Sequence, residues 1–228
     1  MPSTAMPSTA MFSLDFDGLA ARTPRVLLLG AHCDDIEIGC GATVLRLLEA
    51  NPQLEVTWVV LSSDAGRETE AKESADAFLA SAARRDVRVE TFRERYFPFV
   101  GAGIKEYFDD LGRELDPGIV FTHRAADMHQ DHRLLCELAR HTFRNSLLLE
   151  YEIPKFEGDL GQPNFFVHVD ARLCEQKIGY LTKFFPSQHD KHWFTEDTFW
   201  SLLRIRGIES KAPSGHAEAF HCRKLVAG

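Results

Sequence analysis

Two short clusters of imidazole and carboxylate side chains carry most of the chemistry open to this chain. The first is Ala31-His32-Cys33-Asp34-Asp35, directly after the apolar run Val26-Leu27-Leu28-Leu29 and Gly30. The second is Asp127-Met128-His129-Gln130-Asp131-His132, a few residues beyond Gly118-Ile119-Val120-Phe121-Thr122. Neutral imidazole and carboxylate are ordinary ligands of zinc at about 2.0–2.2 Å. Adjacent carboxylates do not easily point the same way, so one of Asp34 and Asp35 can ligate while the other faces a bound water as its base. A histidine from the second cluster would make three protein ligands and leave one position open, which is the catalytic rather than the structural arrangement. Each cluster alone is a weak signal, because such pairs also arise as caps, turns and surface pairs. Their shared place at two strand ends strengthens it.

The elements that must position these clusters follow from periodicity. Four apolar residues in a row read as a buried strand, and open α/β sheets place their ligand crevice at the carboxyl ends of such strands. Gly39 to Glu49 puts Val44, Leu45, Leu47 and Leu48 on one helical face and stops before Asn51-Pro52. Leu54 to Leu61 reads as a second strand, Arg67 to Ala83 as a helix and Val87 to Phe92 as a third strand. Arg93 to Gly103 reads as a loop over the crevice, in which Phe97 and Phe99 either contact a ligand or close a core. Ile104 to Leu115 is expected as a helix, 118 to 122 as a strand, His132 to Asn145 as a helix and Ser146 to Tyr151 as a strand. Asn164 to Val169 then reads as a strand, with helices over Ala171 to Phe184 and Thr198 to Gly207. This alternation predicts an α/β fold with a doubly wound, mostly parallel, Rossmann-like sheet and a C-terminal cap or edge extension. Gly39 and Gly41 lack the full dinucleotide fingerprint, so a nicotinamide site is discounted.

Composition narrows the partners. The chain has 228 residues, 44% hydrophobic and 26% charged, enough for one globular domain with a substantial core. A net charge of -8 provides no overall electrostatic footprint for nucleic acid or an anionic membrane. No segment reaches the roughly 20 apolar residues of a membrane span. The five cysteines are scattered with no Cys-x-x-Cys pair, which fits a reducing compartment and a cytoplasmic location. Residues 1–20 begin with a repeated small-residue tract and read as a flexible arm, leaving 21–228 as a single domain. Homo-oligomerisation is left open.

These residues resemble the LmbE-like (PIG-L) family of zinc-dependent N-acetylglucosaminyl deacetylases. That family carries Ala-His-Pro-Asp-Asp after its first strand and a later His-x-Asp-His, which stand here as Ala31 to Asp35 and His129-Gln130-Asp131-His132. The resemblance extends over most of residues 25 to 222, including Gly39-Cys40-Gly41 and Ala217-Glu218-Ala219-Phe220. It implies that His32, Asp35 and His132 bind Zn2+, or another divalent ion such as Fe2+, and that Asp34 is the general base. It implies that His129 stabilises the developing oxyanion or passes a proton to the leaving amine. Asp131 would hold a histidine in its ligating tautomer, or else cap the helix beside His132. Arg67, after the loop Ser62 to Gly66, would contact substrate; a solvated arginine at a helix start is the alternative.

Two residues depart from the pattern: Cys33 replaces the proline, and Ile36 stands where a glutamate follows the aspartate pair. Neither removes a ligand, and a buried cysteine acting as a small hydrophobe is the commoner role. Gln188, Arg204 and Arg206 are weaker substrate candidates. His189, His192, His216 and His221 read as surface or cap residues, and His123 as lining the crevice. The expected function is removal of an acetyl group from an N-acetylated amino sugar, free or on a nucleotide, lipid or glycoside. Hydrolysis of another amide or an ester, and a non-catalytic sugar-binding role, are the alternatives. The retained Asp34 argues against the last.

Overall fold

The computed structural model describes residues 12–226. Five parallel strands form its centre: β1 (Arg25–Gly30), β2 (Glu55–Val60), β3 (Arg84–Val89), β4 (Ile119–His123) and β5 (Leu147–Tyr151). Two further strands, β6 (Phe165–His168) and β7 (Ala217–Cys222), extend the sheet. The order is β3-β2-β1-β4-β5-β7-β6, with β7 antiparallel to both of its neighbours. The expected mostly parallel, doubly wound sheet is thus present, and its C-terminal part is an antiparallel edge extension.

The apolar run of β1 explains why both faces of the sheet are covered. Side chains alternate across a strand, so Val26 and Leu28 enter one core while Leu27 and Leu29 enter the other. Helices α1 (Phe16–Arg22), α2 (Asp35–Ala50), α3 (Ala65–Phe78), α6 (Ala171–Phe184) and α7 (Glu196–Glu209) supply the first core. Helices α4 (Gly101–Glu114) and α5 (Gln130–Thr142) supply the second. Strand order reverses between β1 and β4, and the two polar clusters follow just those strands. The crevice lies at the topological switch point.

Several boundaries differ from the periodic reading, each for a local reason. α2 begins at Asp35 rather than Gly39, because it is buried almost all round and shows no amphipathic edge where it starts. Gly39 is instead a mid-helix point of close approach: a Cβ there would lie 2.2 Å from the Tyr151 ring. α3 ends at Phe78, and β3 runs over Arg84–Val89 rather than Val87 to Phe92. Its charged start is tolerated because β3 is an edge strand, half exposed. Phe97–Phe99 form a 3-10 turn within the segment read as a loop. The segment read as a flexible arm holds α1 in its second part, where Phe16 packs edge-on against Phe165 at 5.3 Å; the repeated tract over 1–10 lies outside the described residues. β7, which periodicity did not mark, pairs between β5 and β6.

Candidate active site

The turn after β1 and the first turn of α2 carry His32, Asp34 and Asp35. The loop between β4 and α5 and the start of that helix carry Asp127, His129, Asp131 and His132. Three atoms from the two clusters converge. His132 Nε2 lies 3.2 Å from His32 Nδ1 and 3.6 Å from Asp35 Oδ2, and His32 Nδ1 lies 3.3 Å from the same oxygen. In a tetrahedral site with ligands at about 2.0–2.1 Å, neighbouring ligand atoms stand about 3.3–3.4 Å apart. The observed spacings therefore match three corners of a small tetrahedron, and the residues present fit a divalent ion.

The far side of each imidazole makes the same point. His132 Nδ1 donates to Asp127 Oδ2 at 3.0 Å, and His32 Nε2 donates to Asp131 Oδ2 at 3.3 Å. A carboxylate accepts only, so each ring carries its proton on the outer nitrogen and turns its inner lone pair toward Asp35. Two lone pairs and a carboxylate oxygen facing one another call for a cation between them. Burial opposes charging His32, yet the Asp35 charge and hydrogen bonds to Asp131 and Asp35 push it up to about 10. Burial also opposes ionising Asp35, but the His132, His123 and His32 charges hold its carboxyl well below the usual range. His132 is driven down to about 3 by burial and by the neighbouring His123.

Asp34 takes the other direction. It precedes α2 without capping it, is buried, and sets Oδ1 3.3 Å from Arg67 Nη2. Burial pushes its carboxyl up, and the Arg67 charge opposes that push. Arg67 itself lies in the first turn of α3 behind the Asp64 cap, whose side chain accepts from Gly66 N and Arg67 N at 3.0 Å. Its guanidinium also approaches Glu94 at 3.6 Å. The arginine expected against a sugar is thus engaged with Asp34 and Glu94 at the cavity wall.

His129 is the cap of α5, its Nδ1 accepting from Asp131 N at 3.3 Å. The cap is therefore not Asp131. That carboxylate faces His32 and accepts from the backbone N–H groups of Arg95 and Phe97. Arg95 takes a left-handed conformation at φ 65, held by this bond and by Gln130 donating to its carbonyl. His129 is lowered by burial and the His32 charge. It is therefore a neutral ring with its proton on Nε2.

A cavity of about 530 Å3 opens onto His32, Asp34, Asp35, His129 and His132, with Trp193 and Phe156 among its outer walls. Cys33 lies beneath the turn, fully buried, with Sγ 3.4 Å from the Ser62 carbonyl. Burial pushes its thiol up to about 12, which leaves a neutral filler and not a thiolate. Ile36 is core, and the next residue, Glu37, turns to Ser74 at 2.7 Å, away from the site. Phe97 closes the core while Phe99 is 76% exposed. Arg204 binds the Gly215 carbonyl, and Arg206 pairs with buried Glu152. His189, His216 and His221 approach Thr182, Trp200 and Glu152 and take no part.

Three residues escaped the sequence reading. His123 does more than line the crevice: it is fully buried, with Nε2 3.1 Å from Asp35 Oδ2 and stacked on His132 at 3.7 Å. Asp35, His123 and His132 form a second group of close ligand atoms beside that of His32, His129 and His132. Asp127 stood in the motif without a role. Lys155 sends Nζ to Asp127 at 2.9 Å and to Asp159 at 2.7 Å from a loop with no pattern. Burial opposes ionising Asp127, but its bond to His132 and the His132 and Lys155 charges hold its carboxyl well below the usual range.

Fold and site together define the class. Residues 27–143 match the profile of the PIG-L family, GlcNAc-PI de-N-acetylase, and the chain belongs to that family. No curated protein matches the chain. Among solved structures, N,N'-diacetylchitobiose deacetylase from Pyrococcus horikoshii superposes with a TM-score of 0.69 at 21% identity, over 92% of this chain and 87% of that one. A structure described as the zinc inhibited form of teicoplanin deacetylase Orf2 gives 0.65 at 16% identity, over 86% and 96%. GalB, the 4-carboxy-2-hydroxymuconate hydratase of Pseudomonas putida KT2440, gives 0.70 at 14% identity, over 90% and 98%. At these identities the likeness concerns the fold, and one fold carries both a deacetylase and a hydratase.

Proposed function

We propose that this chain is a metal-dependent N-deacetylase that hydrolyses the acetamido group of an N-acetylated amino sugar to the amine and acetate. One observation carries the reading: the ligand atoms of His32, Asp35 and His132 stand 3.2 to 3.6 Å apart with Asp34 beside them on the same cavity. A divalent ion held by those three residues would polarise the acetamide carbonyl and lower the pKa of a water. Asp34 accepts the proton of the attacking water as general base, with Arg67 keeping the carboxylate ionised and aimed. His129 offers Nε2–H to the carbonyl oxygen as it gains negative charge. The proton taken by Asp34 then goes to the leaving nitrogen, which departs as the amine. Asp127 and Asp131 hold the two ligating rings in the required tautomers.

The test is metal analysis of the purified protein, followed by amine release across N-acetylated sugars. Asp34→Asn should keep its metal and lose on the order of 10²–10⁴ in kcat. Full activity in that variant overturns the assignment of the base. Bound metal with no amine release from any N-acetylated sugar favours the sugar-binding alternative. Zinc and Fe2+ should be compared by titration into chelated protein, since one structural neighbour is described in a zinc inhibited form.

A further inference from the structure

Each of the two histidine rings that face Asp35 is backed by a carboxylate, and the two carboxylates are fixed in different ways. Asp131, behind His32, accepts a backbone N–H on each oxygen: Arg95 N at 2.5 Å on Oδ2 and Phe97 N at 3.1 Å on Oδ1. Asp127, behind His132, has a backbone donor on Oδ1 alone, His129 N at 2.8 Å. Its Oδ2, the oxygen that meets His132 Nδ1, takes Lys155 Nζ at 2.9 Å. A side chain thus stands where the sister carboxylate has a peptide group.

Lys155 lies in the connection between β5 and β6, and its side chain is 9% exposed. An ammonium has three hydrogens, and three acceptors surround this one: Asp127 Oδ2, Asp159 Oδ1 at 2.7 Å and the Ile153 carbonyl at 3.3 Å. No hydrogen is left over for a substrate, although Lys155 borders the cavity. Asp159 also accepts from Met128 N at 2.6 Å on Oδ2, which ties the Lys155 loop to the turn before α5 by a bond that does not pass through Lys155. Two roles are therefore separable: Asp159 anchors the loop, whereas Lys155 touches the carboxylate that orients the ring. With Oδ2 unheld, the Asp127 carboxylate pivots on its one backbone bond and the His132 ring follows, carrying Nε2 away from His32 and Asp35. A charge-assisted bond from a covered ammonium resists that rotation more than a neutral donor does.

We propose that Lys155 is a positioning residue, acting through Asp127 to hold the His132 ring in its ligating orientation; this rests on the reading of His32, Asp35 and His132 as metal ligands and not on the identity of the substrate.

The experiment measures zinc affinity by competition with a chromophoric chelator, which needs no turnover. Lys155→Met should weaken binding about tenfold or more, the loss expected when an outer partner of a ligating histidine is removed. Asp159→Asn leaves Lys155 on Asp127 and should lose less than about threefold. In an Asp127→Asn background, Lys155→Met should add about twofold at most, because the group it acts through is already gone. Lys155→Met strands the Asp159 charge, so Lys155→Met/Asp159→Asn removes both, controls for folding, and should bind zinc as weakly as Lys155→Met. In zinc-saturated protein that releases amine, kcat should fall while KM stays within about twofold of native.

Equal losses in Lys155→Met and Asp159→Asn would reduce Lys155 to a loop anchor and overturn the proposal. So would equal losses with and without Asp127, or a raised KM at native zinc affinity, which marks a substrate contact. The expected loss of zinc affinity with no amine release from any N-acetylated sugar keeps the role of Lys155 and overturns the deacetylase reading. Native protein that binds neither zinc nor Fe2+ removes the metal centre and the role of Lys155 with it.

Discussion

Two groups of buried charge in this molecule behave in opposite ways. Near the C-terminal strands, Lys177 and Glu218 lie 2.6 Å apart, and each makes further hydrogen bonds. Lys177 also donates to the Ile38 carbonyl at 2.7 Å, while Glu218 accepts from Ala42 N and Thr43 N at 3.0 and 2.7 Å. Arg206 and Glu152 form a similar pair, with Glu152 also accepting from Gly161 N at 2.9 Å. At the carboxyl ends of β1 and β4 the groups are just as buried, but two lone pairs and a carboxylate oxygen converge on one point at the floor of a cavity. Satisfied buried charge clamps elements together; convergent, under-compensated charge facing an opening is a site. Burial and pairing separate the two where residue type does not.

The largest stability effect should come from breaking the satisfied group. Lys177→Met leaves Glu218 as an uncompensated buried charge between α2 and β7, and should cost about 3–5 kcal/mol in denaturant unfolding. The double variant Lys177→Met/Glu218→Gln should recover part of that loss, and no recovery would mean that the pair is not the cause. Next comes Gly39→Ala, whose added methyl would meet the Tyr151 ring at 2.2 Å. It should cost about 1–3 kcal/mol, read by the same unfolding curves.

In the other group the expected effect falls on the metal. Asp127→Asn should weaken affinity about 10–100-fold, measured by competition with a chelator, and change metal-free stability much less than Lys177→Met does. Equal destabilisation by the two would erase the distinction drawn above.

The smallest effect is one of pH. Burial opposes ionising Glu152, yet His221 3.8 Å away, the bond from Gly161 N and the Arg206 charge hold its carboxyl below the ordinary value. A depressed carboxylate contributes stability that is complete above its unfolded value, about 4.3, and is lost as pH falls through its folded value. The stability gap between native protein and Glu152→Gln should therefore be widest near neutrality and close progressively as pH drops below about 4. A gap that widens on acidification would contradict the assignment.

The parallel part of the fold was legible because it is locally encoded. Val26 to Leu29 and Ile119 to Phe121 are continuous apolar runs that only a doubly covered strand explains, and the polar clusters follow them directly. β3 was misplaced because an edge strand needs no apolar run, and Arg84 to Asp86 carry charge where the pattern demands none. β7 was missed because Ala217 to Cys222 forms a strand only between β5 and β6, whose pairing lies far away in the chain.

The sequence by itself determined the chemical vocabulary of the site: three histidines and two aspartates after the ends of two strands, with a candidate base and a candidate proton donor among them. Those identities follow from motif spacing, which a strand and the turn after it preserve. Only the tertiary structure decided which nitrogen of His32 and His132 turns inward, that His123 and Lys155 support the cluster, and that Arg67 holds Asp34. The physical reason is range: periodicity reports burial within an element, whereas tautomer and charge compensation depend on side chains brought together from distant segments.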